Sequence, residues 1–187
     1  MPHIALNPDE YGIRSLFRFR PETALPLNGL VEVLLCGPST LTRGERELIA
    51  AYVSSLNQCT YCYSSHSAYA AVQLPGGMAQ VQQVCAHAAG AEVSDKMKAL
   101  LEIASAVQES GLKVTSEHVA AAREAGATDI EIHDTVLIAA AFCMYNRYVD
   151  GLGTIASDDP APYAARAEQI VEDGYLKFLA DSQVSNP

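Results

Sequence analysis

Apolar residues recur at helical spacing along nearly the whole chain, and no run of five or more residues alternates cleanly enough to make a strand. That pattern restricts the fold to helices packed on helices. Leu27, Leu30, Val31, Leu34 and Leu35 share one face of a helix expected over 22–35, which Gly37, Pro38 and Ser39 stop. Thr42 and Glu45 have the spacing of a capping box, in which hydroxyl and carboxylate satisfy the free amides of a helix start. The helix that follows, near 43–56, carries Leu48, Ile49, Tyr52, Val53 and Leu56 on one face. Asn57 supplies a turn residue, and a further helix is expected from about Cys59 to Val72, broken by Leu74, Pro75, Gly76 and Gly77. A weaker helix is expected over 78–89. Ser94 caps another over 95–110, with Met97, Leu100, Leu101, Ala104 and Val107 facing inward, and a short one runs from Thr115 to Gly126. Thr128 and Glu131 form a second capping box, opening a long apolar helix from 129 to about 149. After a polar link, Ser157 to Pro162, a last helix is expected over 163–180, then a frayed tail from Ser182 to Pro187. The expectation is an all-α helical bundle forming one domain, with its core at about 20–155 and the C-terminal helix added to it. The two capped helices bear a faint likeness, too weak to call a repeat.

Composition narrows the function. Of 187 residues 49% are hydrophobic, enough for a sizeable core, and 12 basic against 22 acidic residues leave a net charge of −10. Nucleic-acid backbones and anionic membrane surfaces call for basic patches, so neither is an expected partner. The longest apolar stretch, Val136 to Tyr145, falls short of the ~20 residues that span a bilayer. The N-terminal MPHIALNPDEYGIR has no apolar signal core. A soluble cytoplasmic protein is expected. Five cysteines, an odd count, do not suit a secreted disulfide scaffold. Cys36, Cys85 and Cys143 sit singly in apolar surroundings and read as inert small hydrophobes. The pair Cys59 and Cys62 reads as redox-active or metal-binding.

The chemistry concentrates in one segment. At ~100° per residue, Cys59, Cys62 and His66 share a helix face. Cys59 falls in the first turn, where free amides and the positive dipole end favour a thiolate, so a lowered pKa is expected there. His66 lies one turn beyond Cys62 and can exchange a proton with it. Positions i and i+3 are close enough for a disulfide with modest adjustment. If the preceding helix folds back across Asn57, Glu47 meets the cysteine helix, where a carboxylate raises the basicity of an imidazole and fixes its orientation. Each residue alone has a blander reading: Glu47 stands in a charged stretch with Glu45 and Arg46, and a lone histidine is more often structural. Cys59, Cys62, His66 and Glu47 could also supply four zinc ligands, but no second C-x-x-C exists and a closed structural site is disfavoured. No metal and no cofactor are expected. Tyr61, Tyr63 and Tyr69 read as core before pocket. Asn146, Arg147 and Asp150 read as bridges between helix ends or at a subunit contact.

The spacing of Glu47, Cys59, Cys62 and His66 resembles the core motif of the alkylhydroperoxidase D-like proteins in the carboxymuconolactone decarboxylase superfamily. The runs LTRGERELIAAYVSSLNQCTYCYSSHSA and VTSEHVAAAREAGATDIEIHDTVLIAAAFCMYNRYVDGLG are similar to its peroxidase-related branch, over roughly residues 20–155. The resemblance implies an all-helical, homo-oligomeric antioxidant enzyme that reduces hydroperoxides through a reversible Cys59–Cys62 disulfide, regenerated by a dithiol reductant. It implies that Cys62 attacks the peroxide, Cys59 resolves the sulfenic acid and meets the reductant, His66 shuttles the proton and Glu47 acts on His66. One position departs: the best-studied members have a histidine just before the second cysteine, where this chain has Tyr61, a poor base at neutral pH. That implies a shorter relay, weaker activity or a different substrate.

Two rivals stand beside this reading. One is the decarboxylase branch of the same superfamily, which works without a redox cysteine pair. The other is a non-catalytic helical module for redox sensing or binding. The homo-oligomer has its own sequence support, because Val136 to Phe142 make the 129–149 helix apolar nearly all round, as burial on more than one side requires.

Overall fold

The computed structural model describes the backbone of residues 1–184 and the side chains of residues 1–177. Among the described residues every regular element is a helix. In chain order these are α1 (Ile13–Phe19), α2 (Ala24–Val31), α3 (Arg43–Leu56), α4 (Thr60–Ala71), α5 (Gly77–His87), α6 (Asp95–Glu109), α7 (Ser116–Glu124), α8 (Asp129–Gly151) and α9 (Ala161–Val184). Both expected capping boxes form: Thr42 and Glu45 start α3, and Thr128 and Glu131 start α8. Thr115 and His118 form a third at α7. α3 and α4 pack as a hairpin, α8 lies against α3 and α6, and α9 crosses α4 and α2. Leu48, Ile49 and Val53 of α3, Leu100, Leu101 and Ile103 of α6 and Ile138 and Phe142 of α8 are fully buried between them. No helix among the described residues is long and apolar enough to cross a membrane.

The differences from expectation have physical causes. α1 was not expected, since seven residues are too few to display a helical period. The expected 22–35 helix begins as a 3₁₀ turn, Pro21–Thr23, and ends as a π turn, Glu32–Cys36. Arg46, buried on α3, donates to the Leu34 and Gly37 carbonyls at 3.0 and 2.9 Å and so ties down the end of that turn. At the α3–α4 junction the left-handed residue is Gln58 (φ 59°), not Asn57. Gln58 N–H donates to the Ser55 carbonyl and Cys59 N–H to that of Ser54, closing a Schellman turn. Asn57 instead uses its side chain to bridge α6 and α8, accepting from Gln108 at 2.9 Å and donating to Asn146 at 2.8 Å.

The last helix starts two residues before the expected 163 and continues to Val184, past the expected frayed start at Ser182. The rest of that tail, residues 185–187, lies outside the described residues. α9 is broken at Gly174 (φ 72°, ψ −173°). Both sides of the break are held by side chains from the first half of the protein. Arg43 donates to the carbonyls of Ile170 and Val171 at 3.1 and 3.0 Å, and Glu32 accepts from Tyr175 N–H at 2.6 Å. A Cβ at Gly174 would lie 2.7 Å from Glu32 Oε2, so both the conformation and the close approach call for glycine.

α8 is not buried all round. Ile130 is 54%, Leu137 37% and Met144 41% exposed, forming an apolar stripe on the outer face.

Candidate active site

The capping box fixes where α3 begins, and the Schellman turn fixes how α4 returns along it. Glu47 and His66, 19 residues apart in sequence, thereby meet: His66 Nδ1 lies 2.7 Å from Glu47 Oε2. Glu47 is only 2% exposed. Its other oxygen, Oε1, accepts a hydrogen bond from Tyr175 Oη at 2.7 Å. The break at Gly174 sets Tyr175 into this position. Burial, with the Glu47 charge adding to it, holds the Tyr175 phenol well above its ordinary pKa, so it stays a donor. A carboxylate can only accept, so Nδ1 of His66 carries the proton and Nε2 is left as the basic nitrogen. Phe142 meets the imidazole edge-on with centroids 4.5 Å apart, and Tyr69 does so at 5.3 Å.

All five cysteines are free thiols. Cys62, one turn before His66, lines a cavity of about 560 Å³ together with His66, Ser65, Tyr61, Tyr69 and Tyr175. Cys59 lies behind it, fully buried, as the residue that precedes the first turn of α4. The expected lowering of its pKa is overturned. The Cys59 side chain feels the Cys62 amide, which draws its pKa down, but that pull is outweighed. Its contact with the Cys62 sulfur, then burial, then the Asp150 carboxylate push the thiol far above its ordinary value. Cys59 therefore keeps its proton while Cys62 faces the cavity. Asp150 itself is shifted upward by burial, against the opposing hydrogen bond from Cys59.

The remaining candidates separate. Tyr61 and Tyr69 are both core and cavity wall, whereas Tyr63 does not line the cavity. Tyr61, at the departing motif position, packs against Gly12, where a Cβ would fall 2.2 Å from its ring, and edge-on against Tyr163. Asn146 bridges helices as expected, donating to Ser54 at 3.1 Å. Cys36 and Cys85 are raised by burial, Cys85 to about 11. Arg43 reaches Cys36 at 3.0 Å and Asn57 reaches Cys143 at 3.5 Å. Among the described residues no three His, Cys, Asp or Glu side chains are grouped to hold a metal ion. Sequence reasoning missed Tyr175 and the cavity arginines Arg14, Arg18 and Arg166, and it read Asp150 as a bridge where the structure sets it against Cys59. The only local signal for Tyr175 was a glycine inside an otherwise helical pattern.

In this helical bundle Cys62 and His66 thus face a cavity, with Cys59 and Glu47 buried next to them. The carboxymuconolactone decarboxylase family matches residues 21–106 and 75–155, and the chain belongs to it. It is similar to the alkylhydroperoxidase AhpD core, an uncharacterized peroxidase-related protein, of Ralstonia eutropha JMP134: 27% identity, TM-score 0.72, covering 81% of this chain and 78% of that one. It shares its fold with an uncharacterized peroxidase-related protein of Silicibacter sp. TM1040, at 24% identity and TM-score 0.73, over 81% and 78% of the two chains. No curated protein matches it.

Proposed function

We propose that the protein is a thiol peroxidase that reduces hydroperoxides through a reversible Cys59–Cys62 disulfide, in antioxidant defence. The observation that carries this reading is the cavity-facing Cys62 beside a histidine whose other nitrogen is bound to a buried carboxylate. His66 Nε2 takes the Cys62 proton, and Glu47 stabilises the imidazolium that results. The thiolate attacks the terminal peroxide oxygen, the O–O bond breaks, and His66 returns the proton to the leaving alkoxide. The products are an alcohol and Cys62 sulfenic acid. The Cys59 sulfur attacks the Cys62 sulfur, an S–S bond forms, the S–O bond of the sulfenic acid breaks, and the hydroxyl takes up the Cys59 proton and departs as water. A dithiol then reduces the disulfide, itself becoming oxidised, and restores both thiols. Cys59 is fully buried in the reduced form, so its encounter with the reductant requires α4 to open at its first turn once the disulfide has formed.

Peptide mass mapping after one equivalent of hydroperoxide tests this directly. Cys59 joined to Cys62, with catalytic peroxide consumption when dithiothreitol is supplied, is the expected result. A stoichiometric bridge to Cys36, Cys85 or Cys143, or no consumption, would refute the reading. The reading includes a cytoplasmic homo-oligomer, supported by the exposed stripe of Ile130, Leu137 and Met144 on α8. Sedimentation at micromolar concentration should show more than the 20.0 kDa of one chain.

A further inference from the structure

We infer that the hydroperoxide taken by this site is an aliphatic one carrying a carboxylate at the end remote from the peroxide; this deepens, and rests on, the peroxidase reading above. The cavity of about 560 Å³ has the size of pockets that enclose drug-sized ligands, whereas a molecule the size of hydrogen peroxide would occupy a small part of it. Its residues are sorted by depth. Cys62 is 4% exposed and Ser65 3%. The Ser65 hydroxyl lies near those of Tyr61 and Tyr69, so the deep end offers a polar group one turn from the attacking sulfur.

The middle is apolar. α2 presents Ala24, Leu27 and Val31 along one face, and Ile13 and Phe17 of α1 continue the wall. Arg14 and Arg18, four residues apart on α1, line the same cavity yet are exposed, so they stand at its open side. Arg166 of α9, half-buried, also lines it. Glu10 is the one acid among the described lining residues, and it pairs with Arg18 at 3.3 Å. Three arginines against one glutamate leave the cavity lining positive on a chain whose net charge is −10. All three arginines also interact within the protein, so a carboxylate would join an ordered cationic set. Guanidinium groups match a carboxylate in planar, charge-assisted pairs. A ligand with a reactive oxygen at one end, a hydrocarbon body and an anionic head satisfies all three zones together. A neutral bulky hydroperoxide leaves the arginines unused, and hydrogen peroxide leaves both the body and the rim unused.

The test compares linoleic acid hydroperoxide with its methyl ester and with hydrogen peroxide, all below micellar concentration, by the rate of Cys62 oxidation in the full chain. The free acid should react about tenfold faster than the ester, the order of effect that one charge-assisted hydrogen bond supplies. In an Arg14→Gln/Arg18→Gln variant, whose substitutions are both at exposed positions, the acid-to-ester ratio should fall towards one. Calorimetric titration of a Cys59→Ser/Cys62→Ser variant with linoleic acid and methyl linoleate reads binding without chemistry, and the acid should bind about tenfold tighter. Equal rates for acid and ester, or a ratio that survives the arginine substitutions, overturn the substrate class and leave the peroxidase reading standing. Preferential binding of the acid with no thiol oxidation by any of the three peroxides overturns the peroxidase reading and leaves an anionic-lipid pocket.

Discussion

Two buried glutamates, Glu47 on α3 and Glu131 on α8, lie on helices that open with the same kind of capping box. They are 2% and 1% exposed. Their partners differ in kind. Glu131 is the capping carboxylate itself: it accepts from Thr128 N–H at 2.7 Å, from Lys96 Nζ at 2.8 Å and from Thr40 Oγ1 at 2.9 Å. Burial alone would raise its pKa, but these hydrogen bonds overcome it and hold the carboxyl at about 2. Among the described residues Glu47 has no fixed cation at hydrogen-bond distance; its partners are an imidazole and a phenol. A carboxylate locked by a permanent charge and backbone amides is a structural fastener. One facing a group that gains and loses a proton can follow a reaction. Burial is common to both; the titratable partner makes the difference.

Glu47→Gln gives the largest way to break this contrast. An amide can donate to His66 Nδ1, removing both the charge and the tautomer that leaves Nε2 basic. Oxidation of Cys62 by hydroperoxide should slow by ~10²–10⁴, measured as single-turnover thiol loss at pH 7. Glu131→Gln should change that rate by no more than a few-fold, and a large loss there would erase the distinction drawn between the two carboxylates.

Next in size, Glu131→Ala should destabilise the fold by about 2–3 kcal/mol, through the lost cap and the charge-assisted bond to Lys96. Urea denaturation of the two proteins reads this as a shift of midpoint. The same glutamate sets an acid limb. Its folded pKa of about 2 lies below the ordinary 4.5. Between these values the unfolded chain binds the extra proton, so the Glu131 contribution is fully present above pH 4.5 and fades as pH falls towards 2. Stability curves of the unmodified protein and of Glu131→Gln should therefore converge on acidification; parallel curves would contradict the assignment.

The smallest effect is expected at Tyr175. Tyr175→Phe keeps the ring that packs on His66 and removes one hydrogen bond to Glu47, worth about 0.5–1.5 kcal/mol. Cys62 oxidation should slow by up to about tenfold with the helix content intact by circular dichroism. A loss as deep as that of Glu47→Gln would mean that the phenol takes part in the relay itself.

The Glu131 cap and the Glu47 relay were not equally legible. Thr128 and Glu131 are three residues apart, and the fastener can be read from that spacing. Glu47 stands between Arg46 and Leu48 in a charged stretch, and only its distance from the cysteine pair set it apart. Arg46, its neighbour, proved to be a buried tie to the π turn and not a solvated charge. The lowered pKa expected at Cys59 failed because the pull of the Cys62 amide on its sulfur is outweighed by the neighbouring Cys62 thiol, by burial and by the Asp150 carboxylate.

By itself the sequence determined most of the helices and their caps, Cys62 and His66 on one face, and the meeting of that face with α3, because these depend on residues within about one hairpin of each other. Tertiary structure alone decided what surrounds them. Tyr175 comes to Glu47 across 128 positions, and Glu32 and Arg43 hold the break in α9 across 143 and 127. A short helix that no periodicity announced carries two arginines to the open side of the cavity. Local patterning records which face of a helix is apolar, but it does not record which distant side chain comes to lie against that face, and the environment of the thiols depends on that distant contact.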